Sequence, residues 1–257
     1  MVNKGYNLGC AEFAVPGDTL EDKLQVLEEH EMWLELVNDG LDNNQLQNIS
    51  GALTSSKTEI ISVQAYLLHD LSMLSGDYKD QKLAIDHVEK TLKIASDVGA
   101  KNIVTVATYG TPTIPNPMER CINIFKHFGK LGAEFDITVS IEALSRDKTT
   151  FLPNVPEVYN IVQAIDSEYV RLMADTLHIH SNGENAADII NEYAAEIMEL
   201  HLRDTNSRPP GKGSIEFNTI TEIVCKKFKG LLCLEYQPGD DPYKDFKDAY
   251  NFIYGVR

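Results

Sequence analysis

Two hydrophobic rhythms alternate along the chain. Short runs dense in Val, Ile and Leu are separated by longer stretches in which apolar residues recur every three or four positions. The short runs read as strands at 6–13, 32–37, 59–66, 102–108, 137–143, 169–174, 198–203 and 231–236. The clearest helical stretch is 79–98, where Leu83, Val88, Leu92 and Ala95 recur at helical spacing. Asn154-Val-Pro-Glu157 has the make-up of a capped helix start, with Pro156 in the first turn and an acid behind it. Asp241-Pro242 opens the last helix in the same way.

Eight strands alternating with about eight helices make successive βαβ units, whose strands run parallel through right-handed crossovers. A length of 257 residues suits one α/β barrel. The expectation is therefore α/β, a single-domain (β/α)8 TIM barrel over residues 1–257. An open doubly wound sheet is the competing architecture, and the lack of a Gly-x-Gly-x-x-Gly run after the first strand counts against it.

Composition narrows the class of function. With 43% hydrophobic and 24% charged residues the chain can bury a large core. A net charge of −16 gives a surface that repels phosphodiester backbones, so nucleic acid is not an expected partner. No apolar run approaches the ~18 residues of a membrane span, and the first ten residues carry no hydrophobic signal core. Cys10, Cys121, Cys225 and Cys233 have no paired spacing. Reduced thiols and a cytoplasmic location are expected, not a disulfide framework or a structural zinc site.

In a barrel, chemistry gathers at the C-terminal ends of the strands. Four polar residues interrupt or end the last four apolar runs there: Glu142, Asp175, His201 and Glu235. A buried carboxylate is costly unless paired or metal-bound. Three converging carboxylates repel one another, and a divalent cation is the simplest way to hold them. Three oxygen donors and an imidazole suit Mn²⁺, Mg²⁺, Co²⁺ or Fe²⁺, with Zn²⁺ also admissible. The competing reading of each residue alone is a strand-end ion pair or cap. His178 follows Asp175 by three residues, and Arg208 sits in a loop stiffened by Pro209-Pro210-Gly211. His69 and His180 are weaker metal candidates. Glu12 and Glu35 read first as solvated strand-end carboxylates and second as contacts to a substrate hydroxyl, Met32 and Trp33 as core or wall, and Tyr6 as structural. Cys10 and Cys233 fall on the first and last strands, which become neighbours if the barrel closes, as reduced packing residues.

At these residues the chain resembles the xylose isomerase-like TIM-barrel superfamily of sugar isomerases and epimerases. The pattern is most similar to its ketose 3-epimerase, hydroxypyruvate isomerase and inosose-processing branch. The four candidate ligands stand 33, 26 and 34 residues apart, like the superfamily's Glu…Asp…His…Glu series. SIEALSRDKTTFLPN resembles its strand-five signature, DTLHIH its Asp-x-x-His, and HLRDTNSRPPGKGSIEF its His-x-x-Asp…Arg-x-Pro-Gly-x-Gly run. The resemblance implies one divalent ion, Mn²⁺ first, on Glu142, Asp175, His201 and Glu235. It also implies proton transfer next to a carbonyl through a metal-bound enediolate, with Glu142 and Glu235 as the acid and base. His178 and Arg208 would hold the reacting oxygen. One departure stands out: where epimerase-like members carry a second Glu six residues after the strand-five Glu, this chain has Lys148. A cation there would meet an acidic group on the substrate, unless it points to solvent.

The expected partner is thus a small sugar or polyol ketone, with or without an acidic group, and the expected assembly a homodimer or homotetramer. An inosose isomerase or dehydratase is the near alternative on the same scaffold. An endonuclease IV-like AP endonuclease is a remoter one, disfavoured by Thr108-Tyr109-Gly110 and Gly213-Ser214-Ile215 where its extra metal-binding His residues would fall. A non-catalytic barrel would lack reason to keep the four-ligand set.

Overall fold

The eight apolar runs become the staves of a closed barrel. The computed structural model describes residues 7–255. Its strands are β1 (Leu8–Ala11), β2 (Trp33–Asn38), β3 (Ile60–Ala65), β4 (Asn102–Val106), β5 (Thr138–Glu142), β6 (Val170–Asp175), β7 (Ile197–Leu202) and β8 (Leu231–Leu234). They pair in sequence order, all parallel, and β8 returns to β1. Closure excludes the open sheet, which would leave two edges unpaired.

Around the barrel lie α1 (Leu20–Glu29), α2 (Asn43–Leu53), α3 (Tyr78–Val98), α4 (Pro117–Phe135), α5 (Val155–Ile165), α6 (Thr176–Ser181), α7 (Ala186–Tyr193), α8 (Phe217–Lys227) and α9 (Pro242–Tyr254). The short α6, placed directly after β6, is the departure from strict alternation. Local chemistry sets the helix ends. The Asn154 side chain accepts from the Glu157 amide at 2.9 Å and starts α5, and Asp241 accepts from the Lys244 amide at 3.0 Å to start α9. Asp77 caps α3, and Gly99 ends it at φ 80°. The buried stripe of α3 includes Ala84, Val88, Leu92 and Ala95. Leu83, expected on that stripe, is 46% exposed, because the inward face lies one residue further on.

Strand boundaries shift from expectation by one or two residues at most ends. β1 stops at Ala11 because Glu12–Ala14 tighten into a 3₁₀ turn, and β8 stops at Leu234, just short of Glu235. Tyr6 lies outside the described residues. One continuous apolar layer joins strand residues such as Leu34, Val63 and Val139 to helix residues such as Leu27, Val88 and Phe128. Met32 and Trp33 are buried as expected. A Cβ on Gly9 would sit 2.2 Å from the Trp33 ring, so β1 needs glycine there to let the indole in. Cys10, Cys121 and Cys233 are buried and Cys225 is exposed, none of them in a disulfide. Among the described residues no helix is long and apolar enough to cross a membrane.

The barrel interior is unusually polar. Glu35, Ser62, Asn102, Ser140, Glu199 and His201 are all fully buried. Two register shifts, between Leu34 and Glu35 in the β2–β3 pair and between Leu172 and Met173 in the β6–β7 pair, bring polar residues level across strands. The first sets Glu35 beside Ser62, the second Asp175 beside His201.

Candidate active site and metal centre

Glu142 and Asp175 are the last residues of β5 and β6, His201 lies one residue before the end of β7, and Glu235 follows β8. The closed barrel brings all four to one mouth. Glu142, Asp175 and His201 offer ligand atoms that lie within 4.8 Å of one another. Glu235 Oε2 stands 3.2 Å from His201 Nδ1. One oxygen of Asp175, Oδ1, accepts from the amides of Leu177 and His178 at 2.7 and 3.0 Å. Its other oxygen makes no hydrogen bond, and neither do His201 Nδ1 and Glu235 Oε2, although all three atoms are buried. Buried polar atoms are nearly always partnered. Three buried atoms that make no hydrogen bond, gathered at one mouth and each a good metal donor, fit a divalent cation, although the two carboxylate oxygens are meanwhile ion-paired with a guanidinium.

A second group backs His201. Its Nε2 faces Glu35 Oε1 at 3.2 Å and Glu199 Oε1 at 3.4 Å. Ser62 and Asn102 each donate to Glu199 Oε2 at 2.7 Å. Gln64 donates to Glu35 at 2.6 Å and to Glu235 at 3.0 Å, tying the two layers together. Cys233 Sγ lies 3.6 Å from Glu35. Glu35, Glu199, His201 and Cys233 are close enough to form a second candidate metal cluster. Most of their atoms are spent on hydrogen bonds, however, so the group reads as support. With carboxylates at Nε2, the imidazole keeps its hydrogen there and turns Nδ1 toward the mouth. Glu35 thus corrects an expectation: it is a buried carboxylate, not a solvated strand end.

Arg203 completes the cage. Its Nε is 2.8 Å from Asp175 Oδ2 and one terminal nitrogen is 3.2 Å from Glu235 Oε2. The other donates to His178 Nε2 at 3.1 Å. His178 Nδ1 meets Ser145 Oγ at 2.9 Å, and the Ser145 hydroxyl donates onward to Asp147. That chain leaves the proton of a neutral His178 on Nδ1. Burial lowers the pKa of His178, in keeping with the neutral form.

The carboxylates titrate apart. Burial, then the charge of Glu235, pushes Glu142 up to about 8. Burial also raises Glu235, but the charges of Arg203 and His201 outweigh it and hold that carboxyl well below its usual range. For His201, burial is outweighed by the charges of Glu35 and Glu235, which raise its pKa well above the usual imidazole range. Glu35 is raised to about 7, mainly by burial.

Above the cage opens a cavity of about 610 Å³ whose lining includes Gln64, Glu142, His178, Arg203 and Glu235. Lys148 stands in its wall, 3.7 Å from Asp147. Arg208 does not line it. Its guanidinium donates to the Lys212 carbonyl at 3.3 Å, and the loop presents Asn206 and Ser207 instead. That loop is tied to Asp204, whose buried carboxylate accepts from the amides of Thr205, Gly211, Gly213 and Ile215 at 2.8–3.1 Å. A Cβ at Gly213 would come within 2.3 Å of that carboxylate. His69 lines the cavity with both ring nitrogens engaged, and His180 is exposed on α6. Glu12 pairs with Lys23 at 3.7 Å.

Gln64, Glu199 and Arg203 escaped the sequence reading. The signal for two of them was present. Side chains alternate along a strand, so Glu199 and Arg203, two residues either side of His201, share its inward face.

Residues 21–254 match the family model of the xylose isomerase-like TIM barrel. The D-psicose 3-epimerase of Enterocloster bolteae is 31% identical over 105 residues, 41% of this chain and 35% of that one. The inosose isomerase of Halalkalibacterium halodurans is 24% identical over 127 residues, 45% of each chain. The matched part of the chain thus spans less than half the length of these two curated relatives. The crystal structure of 3-keto-D-glucoside 4-epimerase from E. coli superposes with a TM-score of 0.83 at 16% identity, over 98% of this chain and 100% of that one. At that identity the likeness is one of fold.

Proposed function

Because the chain belongs to the xylose isomerase-like TIM-barrel family, we propose that it is a divalent-metal-dependent sugar isomerase or epimerase acting at the carbon beside a carbonyl. The observation that carries this reading is the gathering of four metal-donor side chains, Glu142, Asp175, His201 and Glu235, at one mouth, with Asp175 Oδ2, His201 Nδ1 and Glu235 Oε2 buried and making no hydrogen bond. Those four residues would hold the ion, with Mn²⁺ the first choice among Mn²⁺, Mg²⁺, Co²⁺, Fe²⁺ and Zn²⁺. When bound, the ion supplies Lewis acidity that makes the C–H next to a substrate carbonyl more acidic.

The proton itself is the business of the carboxylates. Before the ion binds, Glu235 is held ionised by Arg203 and His201, while burial and Glu235 favour the protonated form of Glu142, which would give up that proton to take the ion. With the ion bound, these two carboxylates at one mouth would remove and redeliver the substrate proton. Neutral His178, whose Nε2 accepts from Arg203 before substrate binds, would accept instead from a substrate hydroxyl, and Arg203 would donate to the reacting oxygen. Lys148, in the cavity wall, would meet an acidic substituent on a substrate that carries one. D-Psicose and inosose, the compounds named for the two relatives, are the first substrates to offer.

The test is titration of the purified protein with Mn²⁺, Mg²⁺, Co²⁺ and Zn²⁺, beside Glu142→Gln and His201→Ala, followed by deuterium uptake from D₂O into those ketones. One tight ion per chain, weakened in both variants, with ion-dependent uptake, is the expected result. Failure to bind any of the four ions would overturn the reading.

A further inference from the structure

The cage takes up only one end of the 610 Å³ cavity. Cavities of about 300–1,000 Å³ accommodate drug-sized ligands, and a single hexulose leaves much of this one unfilled. Part of the remaining wall is aromatic. Tyr66 and His69 come from the 3₁₀ turn that follows β3, and Tyr109 from the loop after β4. Their rings form a stack, with centroids 4.4 Å apart from Tyr66 to His69 and 4.6 Å from His69 to Tyr109, so that the middle ring is covered on both faces.

The stack is built, not fortuitous. His69 Nδ1 is 2.8 Å from the Tyr66 carbonyl, and its Nε2 is 2.9 Å from the Tyr109 hydroxyl. Both imidazole nitrogens are spent, so His69 serves neither as a metal ligand nor as an acid or base. It acts as the middle ring of a rigid stack that backs the outer ring, Tyr66. The inner end, Tyr109, is near enough to Glu142 and Glu235 to feel their charges. The outer end, Tyr66, is 39% exposed. Proton transfer at the cage makes no use of this stack, and an exposed aromatic ring in a binding cavity is a recognition feature.

We propose that the stack binds a second ring on the substrate: the reacting ketose carries, away from its carbonyl, a further six-membered ring whose apolar face lies on Tyr66, the exposed end of the stack. This rests on the sugar isomerase or epimerase reading of the same site. Aromatic side chains present flat apolar faces, and both the C–H face of a pyranose and an aryl ring match them. Lys148 and Gln237 line the same cavity and offer hydrogen bonds to hydroxyls, which favours a second sugar over an aryl group.

The experiment uses the full chain with Mg²⁺ and three probes: D-fructose, 6-O-glucosyl-D-fructose and 6-O-benzyl-D-fructose. Saturation-transfer NMR reads which ring touches the protein, and mass spectrometry reads deuterium uptake from D₂O. In the wild type the glucosyl protons receive strong saturation, and in Tyr66→Ala they lose most of it, while Tyr66→Phe retains it. The ratio of kcat/KM for the glucosylated ketose to that for D-fructose falls about three- to tenfold in Tyr66→Ala, mostly through KM, the size of one aromatic contact. Stronger saturation of the benzyl than of the glucosyl ring would support the stack and identify the second ring as aryl. Equal saturation of the second ring in wild type and Tyr66→Ala, or binding of none of the probes, would overturn the proposal. Saturation of the second ring without deuterium uptake into any probe would sink the isomerase reading and leave the ring-binding surface standing.

Discussion

Replacing Arg203 by Gln perturbs the charge balance of the cage at its permanently charged member. Its guanidinium lies 2.8 Å from Asp175 and 3.2 Å from Glu235, and the three side chains are 17%, 0% and 12% exposed. Removing one partner from a buried ion pair costs about 3–5 kcal/mol, because the charges left behind are neither solvated nor paired. Glu235, freed of the cation that keeps it ionised, will take up a proton and relieve part of this, so a value near ~3 kcal/mol is expected in ion-free protein. For a chain of this length each kcal/mol moves the melting temperature by about 2–4 °C, so the ion-free variant should melt roughly 6–12 °C below wild type. A divalent ion brings two positive charges to the same oxygens. With excess Mn²⁺ the gap should close to a few degrees, which makes the ion-induced rise in Tm larger in the variant. Arg203→Lys, which keeps the charge and loses the planar fork, should fall between the two. The assay is thermal unfolding followed by circular dichroism, in EDTA and in Mn²⁺, for all three proteins. An equal deficit of Arg203→Gln under both conditions would refute the reasoning, since Arg203 would then be acting through packing alone.

Two other outcomes follow from the same geometry. Glu35→Gln removes the charge that faces His201 Nε2 at 3.2 Å, and should weaken Mn²⁺ about 10- to 100-fold; unchanged affinity in competition with a chelating dye would remove Glu35 from the ion's support. Glu142, raised to about 8, binds its proton more tightly folded than unfolded, so its contribution to stability is fully present below pH ~4.5 and is lost as pH rises through about 8. Over the same interval ion affinity should rise, with a proton released on binding. Calorimetry in two buffers of different ionisation enthalpy checks this, and Glu142→Gln should flatten both profiles.

Periodicity made the barrel readable. A run such as Asn102–Val106 can be nothing but a doubly covered strand, and eight such runs joined by helices leave few parallel architectures. The mouth was half readable. Glu142, Asp175, His201 and Glu235 announce themselves because charge interrupts an apolar run, and such interruptions are costly unless they serve a purpose. Arg208 and Arg203 show where that logic stops. Both are cations after the same strand, but direction decides between them. Arg203 keeps the inward alternation of His201, and Arg208 lies in a loop turned away by the backbone that Asp204 gathers around itself.

Local pattern therefore carried the element order, the helix caps at Asn154 and Asp241 and the identity of the interrupting residues, since each depends on neighbours within a few positions. Register, burial and convergence came only with the closed barrel. The shift between Leu172 and Met173 sets Asp175 level with His201. The same closure buries Glu35, places Gln64 against Glu235, and lines up Tyr66, His69 and Tyr109. These are contacts between residues far apart in the chain, and they are selected by the packing of the whole sheet, which no window of sequence contains.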